Sequence, residues 1–475
     1  MSILLRALAG RIVISRDRDM RIVLSWVGPG DIRSIHGHPV FHRWWRAKPG
    51  AESVDRQDTA NMWKLVAIEG AWGFHAALVA GATVLTVLLR GYGAGPKMIG
   101  SIASIEGGLI VLPQVLGIYV FKSRRQWKKH MVAWHLVCIV PFLFLNGFII
   151  AFAGEDVSAF ARWGLLLSFA CMMAGIGTVI AVWMEWMASL FGTRIRGTVL
   201  GIAWFISALC GAAAGFLSGR LIDHFPGKPT YAVLYLAAGI AATISCLMIM
   251  TVRDKNAGEM PNRVGFGTRF LISRFRQSLV SANFRSFLIG RILATFGFCI
   301  VPFLAVHFLS DAGGSLSKGT VVSCGAAMTV GMAVANLVLG RLGDLRGHRI
   351  GILVSAAMQV VALTIVLLSS GIWSCISVYL CVGVCMSGGF LSHTNMLFET
   401  CPHDHRLAHI TVGNLVLSVP MLGAPLLAGA VVGGWSTTTL FAVCLVISVI
   451  ALLWLAAFVK EPRHLDLGAT IGSGE

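Results

Sequence analysis

A handful of residues in this sequence can move a proton or hold a polar ligand, and they sit where charge is expensive. Glu69 and His75 lie six residues apart in one long apolar run. Glu106 lies in the next run, and His393, Asn395 and Glu399 lie in a later one. An ionisable side chain inside such a run faces a cavity or a partner. A carboxyl or an imidazole held there can exchange a proton near neutral pH. Glu69, His75, Glu106, His393 and Asn395 are therefore the candidate path for a solute and a coupling proton. A helical rise of about 1.5 Å per residue puts Glu106 and His75 near the middle of their runs. The alternative for each is a neutral group that only ties helices together. Glu185 and Glu399, near the ends of their runs, fit a structural role, and Asn336 fits a helix-to-helix hydrogen bond.

Other chemistry is poorly supported. The stretch "CPHDHRLAH" at Cys401–His409 gathers metal-ligating types at short spacing, but the eleven Cys are mostly single residues in apolar runs, where they pack as small hydrophobes. No metal site is assigned. "GAGPKMIG" at Gly93–Gly100 lacks the spacing and the Ser or Thr of a phosphate loop, and no nucleophile arrangement or cofactor motif stands out. No catalytic residue and no cofactor are expected. Arg291 is the single basic residue inside an apolar run, and no Lys or Arg lies near the middle of one. A carrier of anions would want a fixed cation there, so neutral or cationic solutes fit better.

The elements that must position these groups follow from composition. The 475 residues are 56% hydrophobic and 12% charged, against roughly a quarter charged in a soluble chain. Apolar runs of about 20 residues cross a bilayer as helices. Twelve are predicted, near 64–89, 98–121, 131–153, 161–187, 197–218, 230–252, 286–309, 320–340, 350–370, 373–398, 409–432 and 438–459. With the N-terminus inside, 31 of the 38 Lys and Arg fall on the inner side, six fall on the outer side, and Arg291 is within a span. Positive charge stays inside, which predicts cytoplasmic termini in a multi-pass inner-membrane protein. The net charge of +17 then reports orientation and contact with anionic lipid, not nucleic-acid binding.

The expected organisation is a cytoplasmic, partly disordered extension over 1–60, a six-helix bundle over 61–252 and a basic linker over 253–285. A second six-helix bundle over 286–460 and a cytoplasmic tail over 461–475 follow. "TRIRGTVLGIAWFISALCGAAAGFLSG" and "DHRLAHITVGNLVLSVPMLGAPLLAGAVVGG" both run from an inner Arg through Gly to a small-residue stripe. That is a weak parallel repeat of the two halves.

Two charged clusters interrupt the apolar chain: "GRLIDHFPGK" from Gly219, outside, and "GRLGDLRGHRIG" from Gly340, inside. The second carries a resemblance. With twelve spans split six and six around a basic linker, Gly340, Gly343, Asp344, Arg346, Gly347 and Arg349 resemble the inside-loop signature of the major facilitator superfamily of secondary transporters. "RGTVLG" at Arg196–Gly201 and "NMLFETCP" followed by Arg406 add to it. The loop between the second and third spans, "GIYVFKSRRQWKKH", departs from the signature by having no Asp.

The resemblance implies an all-α polytopic fold of two six-helix bundles that rock to give alternating access. It also implies that Asp344 faces the start of the fifth span, where Arg194 and Arg196 add attraction, while Arg346 and Arg349 reach Glu185. This cluster would latch the bundles on the cytoplasmic side. The expected function is a secondary active transporter of a small neutral or cationic solute, proton-coupled and monomeric. A non-transporting receptor or scaffold on the same fold, and a metal-ion carrier, are the alternatives.

Overall fold

The computed structural model describes residues 11–16, 22–27, 56–121, 126–153, 159–191, 193–254, 279, 281–400 and 406–462. They divide into two compact units, Met1–Asp55 and Arg56–Glu475. In the first unit, β1 (Arg11–Arg16) pairs antiparallel with β2 (Ile22–Val27), Arg11 opposite Val27 and Arg16 opposite Ile22. The sequence analysis did not anticipate a sheet here. Its source is the β-branched content of "RIVISR" and "IVLSWV", which suits extended backbone. Most of the linker at 253–285, the loop at 401–405 and the tail beyond 462 lie outside the described residues.

The second unit is helical. Its segments are α1 (Gln57–Gly91), α2 (Pro96–Val111 with Gln114–Val120), α3 (Trp127–Phe152), α4 (Ala159–Met187), α5 (Thr193–His224) and α6 (Lys228–Ile249). After the linker come α7 (Ala282–Phe308), α8 (Lys318–Arg346), α9 (Arg349–Leu368), α10 (Gly371–Leu397), α11 (Arg406–Gly434) and α12 (Thr437–Phe458). Among the described residues, eleven helices are long and apolar enough to cross a membrane. The twelfth expected span, α2, is split at Leu112–Pro113. Pro113 has no N–H to return to the Leu109 carbonyl. Gly177 of α4 lies against that carbonyl, where a Cβ would overlap it.

Hydrocarbon offers the backbone no hydrogen bonds, so helices are the economical form for these runs. Their outward faces carry large apolar side chains such as Phe148, Phe152, Leu167 and Leu453. Trp163, Trp373 and Trp435, near the starts of α4 and α10 and just beyond α11, are each more than half exposed; they lie at the end away from the basic loops, the outer end in the orientation expected from the sequence. They form an aromatic belt at one membrane boundary. Helix starts are set by local chemistry: Ser281, Ser317 and Ser436 each accept a hydrogen bond from the backbone N–H three residues on, which satisfies a donor that the first turn leaves free.

Within the first half, α1 packs on α5 and α6, and α3 on α6 and α4. Within the second, α7 packs on α12, and α10 on α8 and α9. The halves share a hydrogen-bond pattern that the sequence analysis missed. At the start of α1, Asn61 Nδ2 donates to the Arg253 carbonyl (2.7 Å), and Arg253 N donates to Asn61 Oδ1 (3.1 Å). At the start of α7, Asn283 Nδ2 donates to the Lys460 carbonyl (3.1 Å), and Lys460 N donates to Asn283 Oδ1 (2.8 Å). Lys128 of α3 donates to the Val252 carbonyl (3.0 Å), and Arg349 of α9 donates to the Ala456 carbonyl (2.7 Å). The first helix of each half is thus clipped to the end of its sixth, and the third caps the same end. This is the parallel repeat in atomic terms.

Each Asn side chain closes a two-bond ring with backbone, so Asn61→Ala and Asn283→Ala should each destabilise by about 1–3 kcal/mol. The clips lie in separate halves, so the effects should add. Thermal melts of the detergent-solubilised chain check this: equal Tm values for wild type and double variant would refute the clip.

Candidate functional site

The two halves meet along two seams, α5 with α8 and α2 with α11. α5 and α8 run antiparallel, and small residues let their backbones touch. Gly219 lies against the Gly319 carbonyl and Ser323, Gly215 against Ala326 (3.9 Å to a Cβ position), and Gly211 near Thr329 (3.5 Å). On the other seam Gly100 meets the Pro425 carbonyl, Gly429 meets Lys97, and Ser104 Oγ donates to the Leu422 carbonyl (2.7 Å). Near the centre, the outer part of α7 (Val301–Phe308) packs on the outer part of α1 and on α2. All these contacts lie toward the outer end.

Asp223 closes the outer end of the α5–α8 seam. Its Oδ1 accepts from Gly319 N (2.8 Å), and its Oδ2 accepts from Ser317 Oγ (2.7 Å) and Thr320 Oγ1 (3.4 Å). A carboxylate from one half thereby caps the first turn of α8 in the other, where free N–H groups and the helix dipole favour negative charge. "GRLIDHF" is more than a turn: it is an outer inter-bundle tie.

The same register carried inward brings Gly201 level with Gly340, and there the glycines make no contact across the seam. A Cβ on Gly201 would meet nothing within 4 Å, and one on Gly340 would meet only Leu391 of its own half. The close glycine contacts of this seam lie at the end away from the basic loops.

Gly343, Gly347 and Arg349 of the signature are held by their own half. The His348 ring covers Gly343, and His348 Nε2 lies 3.9 Å from Glu399 Oε1. Glu461 Oε2 accepts from Arg349 N (2.9 Å) beside Gly347, whose φ of 92° suits glycine. Arg349 Nη2 binds the Ala456 carbonyl, and Arg346 is exposed at the end of α8. Across the gap, Arg196 Nη2 donates to the Phe191 carbonyl (3.3 Å), and Glu185 is half-buried on α4. Asp344 and Arg194 lie on α8 and α5, but their side chains are outside the described set.

The candidate path residues divide into three groups. Glu69, buried on α1, accepts a hydrogen bond from Trp183 Nε1 of α4 (3.1 Å). Beside it the Trp72 ring contacts His75 (4.3 Å between centroids) and His135 of α3 (5.5 Å). Glu106 stands further out on α2, against Gly81 in a π-helical turn, Gly81–Leu85, that interrupts α1. Such turns recur at functional sites. His75 and Glu106 therefore belong to different neighbourhoods, separated by about two turns of α1. In the second half, Arg291 of α7 donates from Nη2 to the Gly389 carbonyl of α10 (3.1 Å), within a second π-helical turn, Gly388–Ser392. His393 is buried with its ring stacked on Phe287 (5.4 Å). Asn395 donates to the Leu391 carbonyl of its own helix (2.9 Å), and Asn336 accepts from Ser387 of α10 (2.6 Å).

Residues 286–472 match the family model described as Major Facilitator Superfamily. That match covers the second half of the chain and less than half of its length. By sequence, no curated protein matches the chain. Among solved structures, a variant of the nucleoside transporter NupG superposes with a TM-score of 0.65 at 10% identity, over 84% of this chain and 100% of that one. A POT family transporter in complex with 5-aminolevulinic acid gives 0.65 at 12%, over 84% and 97%. A bacterial homologue of the human lysosomal transporter Spinster, inward-facing and occupied, gives 0.58 at 12%, over 85% and 97%. The likeness is one of fold.

Sequence reasoning missed Asp223, the Asn clips and the acids Asp254 and Glu461 that follow Arg253 and Lys460. The repeated dipeptides Arg253–Asp254 and Lys460–Glu461 were the available signal. Asp254 Oδ2 accepts from Trp186 Nε1 (3.0 Å), as Glu461 accepts from Arg349 N. Removing the outer tie should favour closure of the inner end. In Asp223→Ala, a cysteine pair placed at Gly201 and Gly340 should form a disulfide several-fold faster than in the parent. An unchanged rate would show that Asp223 does not hold the seam.

Proposed function

We propose that this protein is a secondary active transporter that moves a small neutral or cationic solute across the inner membrane by alternating access, with a proton as the coupling ion. Both termini are cytoplasmic in this reading, and the unit is a monomer. The observation that carries it is the asymmetry of the α5–α8 seam: the helices are in contact from Asp223 to Gly211, and no contact across the seam is made at Gly201 or Gly340. A seam shut at one end and splayed at the other is one of the two end states that a rocking carrier needs. The fold and the match to the superfamily model support the same reading.

Asp223 and the region of Asp344 are then opposed ties. Asp223 holds the outer end in the state described. The signature loop, parked against Glu461 and Ala456, would engage α5 when the inner ends meet. Glu106 is the best-placed proton carrier. It is a carboxyl at membrane depth beside a break in α1, and among the described residues it has no hydrogen-bond partner. A break that frees backbone groups next to a carboxyl can couple its protonation to helix movement.

The metal-carrier alternative has less support. Among the described residues no three His, Cys, Asp or Glu gather.

Reconstituted vesicles loaded with a pH-sensitive dye test the coupling. Screened against nucleosides, dipeptides and small amines, at least one solute should drive proton movement in wild type. Glu106→Gln should reduce that movement tenfold or more while leaving solute exchange in place. Solute flux that proceeds without proton movement in wild type would sink the proton-coupled reading.

A further inference from the structure

The internal repeat assigns a relationship between two charged residues on α1 and α7. Asn283 follows Asn61 by 222 residues, and the two make the same clip at the same end of their helices. The same offset carries Glu69 onto Arg291. Each lies eight residues past its Asn, about 12 Å along the helix. Each is anchored to the fourth helix of its own half: Glu69 accepts from Trp183 of α4, and Arg291 donates to the Gly389 carbonyl of α10. The chain thus places an acid and a base at equivalent positions and one depth, on the two helices that touch across the centre.

Those two helices come from different halves and meet over only part of their length. Their outer parts pack together, whereas the inner part of α1 packs on α5 and α6 and that of α7 on α12 and α11. Glu69 and Arg291 lie on the inner parts, one in each half.

Neither charge is matched. Glu69 is 6% exposed and Arg291 9% exposed. Glu69 has one hydrogen bond, from an indole. The Arg291 side chain has one, to a carbonyl, and its buried Nε has no partner. No carboxylate lies within 4.0 Å of the guanidinium among the described residues. A buried, uncompensated charge at membrane depth costs several kcal/mol, and two such charges of opposite sign invite one ligand that compensates both.

The surroundings fit the two ends of that ligand. Glu69 is flanked by the Trp183 indole, next to the Trp72 and His135 rings. Aromatic faces beside a carboxylate favour an ammonium group. The free edge of Arg291 is a planar fork that matches a carboxylate.

We propose that Glu69 and Arg291 form a bipartite site for a zwitterionic solute, its ammonium on Glu69 and its carboxylate on Arg291. This rests on the transporter reading and narrows it: the cargo is neutral overall yet charged at both ends. Binding releases each half from an unmatched charge and links the two halves through one molecule.

Equilibrium binding to the purified full chain tests this without requiring transport. The probes are glycine, β-alanine, γ-aminobutyrate, 5-aminovalerate and 6-aminohexanoate, each also as its methyl ester and its N-acetyl derivative. At least one free amino acid should bind, with its ester and N-acetyl form at least tenfold weaker. The length that binds best measures the span between the two charges. Glu69→Gln and Arg291→Gln should each weaken that ligand at least tenfold, and Glu69→Arg combined with Arg291→Glu should restore it. Esters binding as well as free acids, or no zwitterion binding at all, would overturn the site whether or not the variants fold. Zwitterion binding without flux in vesicles would leave the site standing and overturn the transporter reading instead.

Discussion

The contact of α5 with α8 at Gly219 and Gly319 is the constraint on which the rest of the structure depends. Two helix backbones from different halves approach until neither position has room for a side chain. In a bilayer there is no hydrophobic drive between helices, so close packing and interhelical hydrogen bonds must hold them. Asp223 adds the polar part by capping α8 from α5. The closest approach lies toward the outer end, and in the proposed mechanism each half would tilt about it without repacking its interior. The Asn61 and Asn283 clips tie the first helix of each half to the end of its sixth, inside a half and not across halves.

The repeat explains where function can arise. Equivalent positions that carry equivalent residues, such as the Asn clips, serve the scaffold. Equivalent positions that carry opposite residues, Glu69 and Arg291, give the centre a polarity that a symmetric pair of bundles would lack. The same contrast separates the two signature regions. Arg349 in the second half and Lys128 in the first both cap the sixth helix of their half, yet only the second half has the Gly–Asp–Arg loop. In the proposed mechanism an inner tie to α5 would therefore come from one side only, as the outer tie at Asp223 does.

Much of the fold was legible in the sequence, because long apolar runs and the side preference of Lys and Arg depend on composition alone. The signature at Gly340–Arg349 was legible for the same reason: its glycines and charges interrupt an apolar chain. Asp223 was visible but read as a turn, because its partner is the start of a helix about 95 residues away, and no local pattern announces it. The break in α2 was written in Pro113. The sheet of β1 and β2 was not expected, since arginine and aspartate obscured its short β-branched runs. His75 and Glu106 were both placed near the middle of consecutive runs, which left a contact between them possible. The break at Gly81 and the depth difference place them apart, which only backbone geometry could decide. Glu69 and Arg291 were each noticed, but their equivalence depends on a register that the Asn hydrogen bonds define.

The central claim is that the halves rock about the outer seam, so that the two ends of the molecule open in turn. Spin-label distances measure this directly. With the native cysteines replaced, one label pair would sit at the inner ends, at Gly197 and Leu345, and another at the outer ends, at Phe225 and Lys318. Across pH and added solute, the account predicts two populations at each end with opposite responses: when the inner distance shortens, the outer distance lengthens. Inner and outer distances that stay fixed under every condition, or that lengthen together, would contradict it.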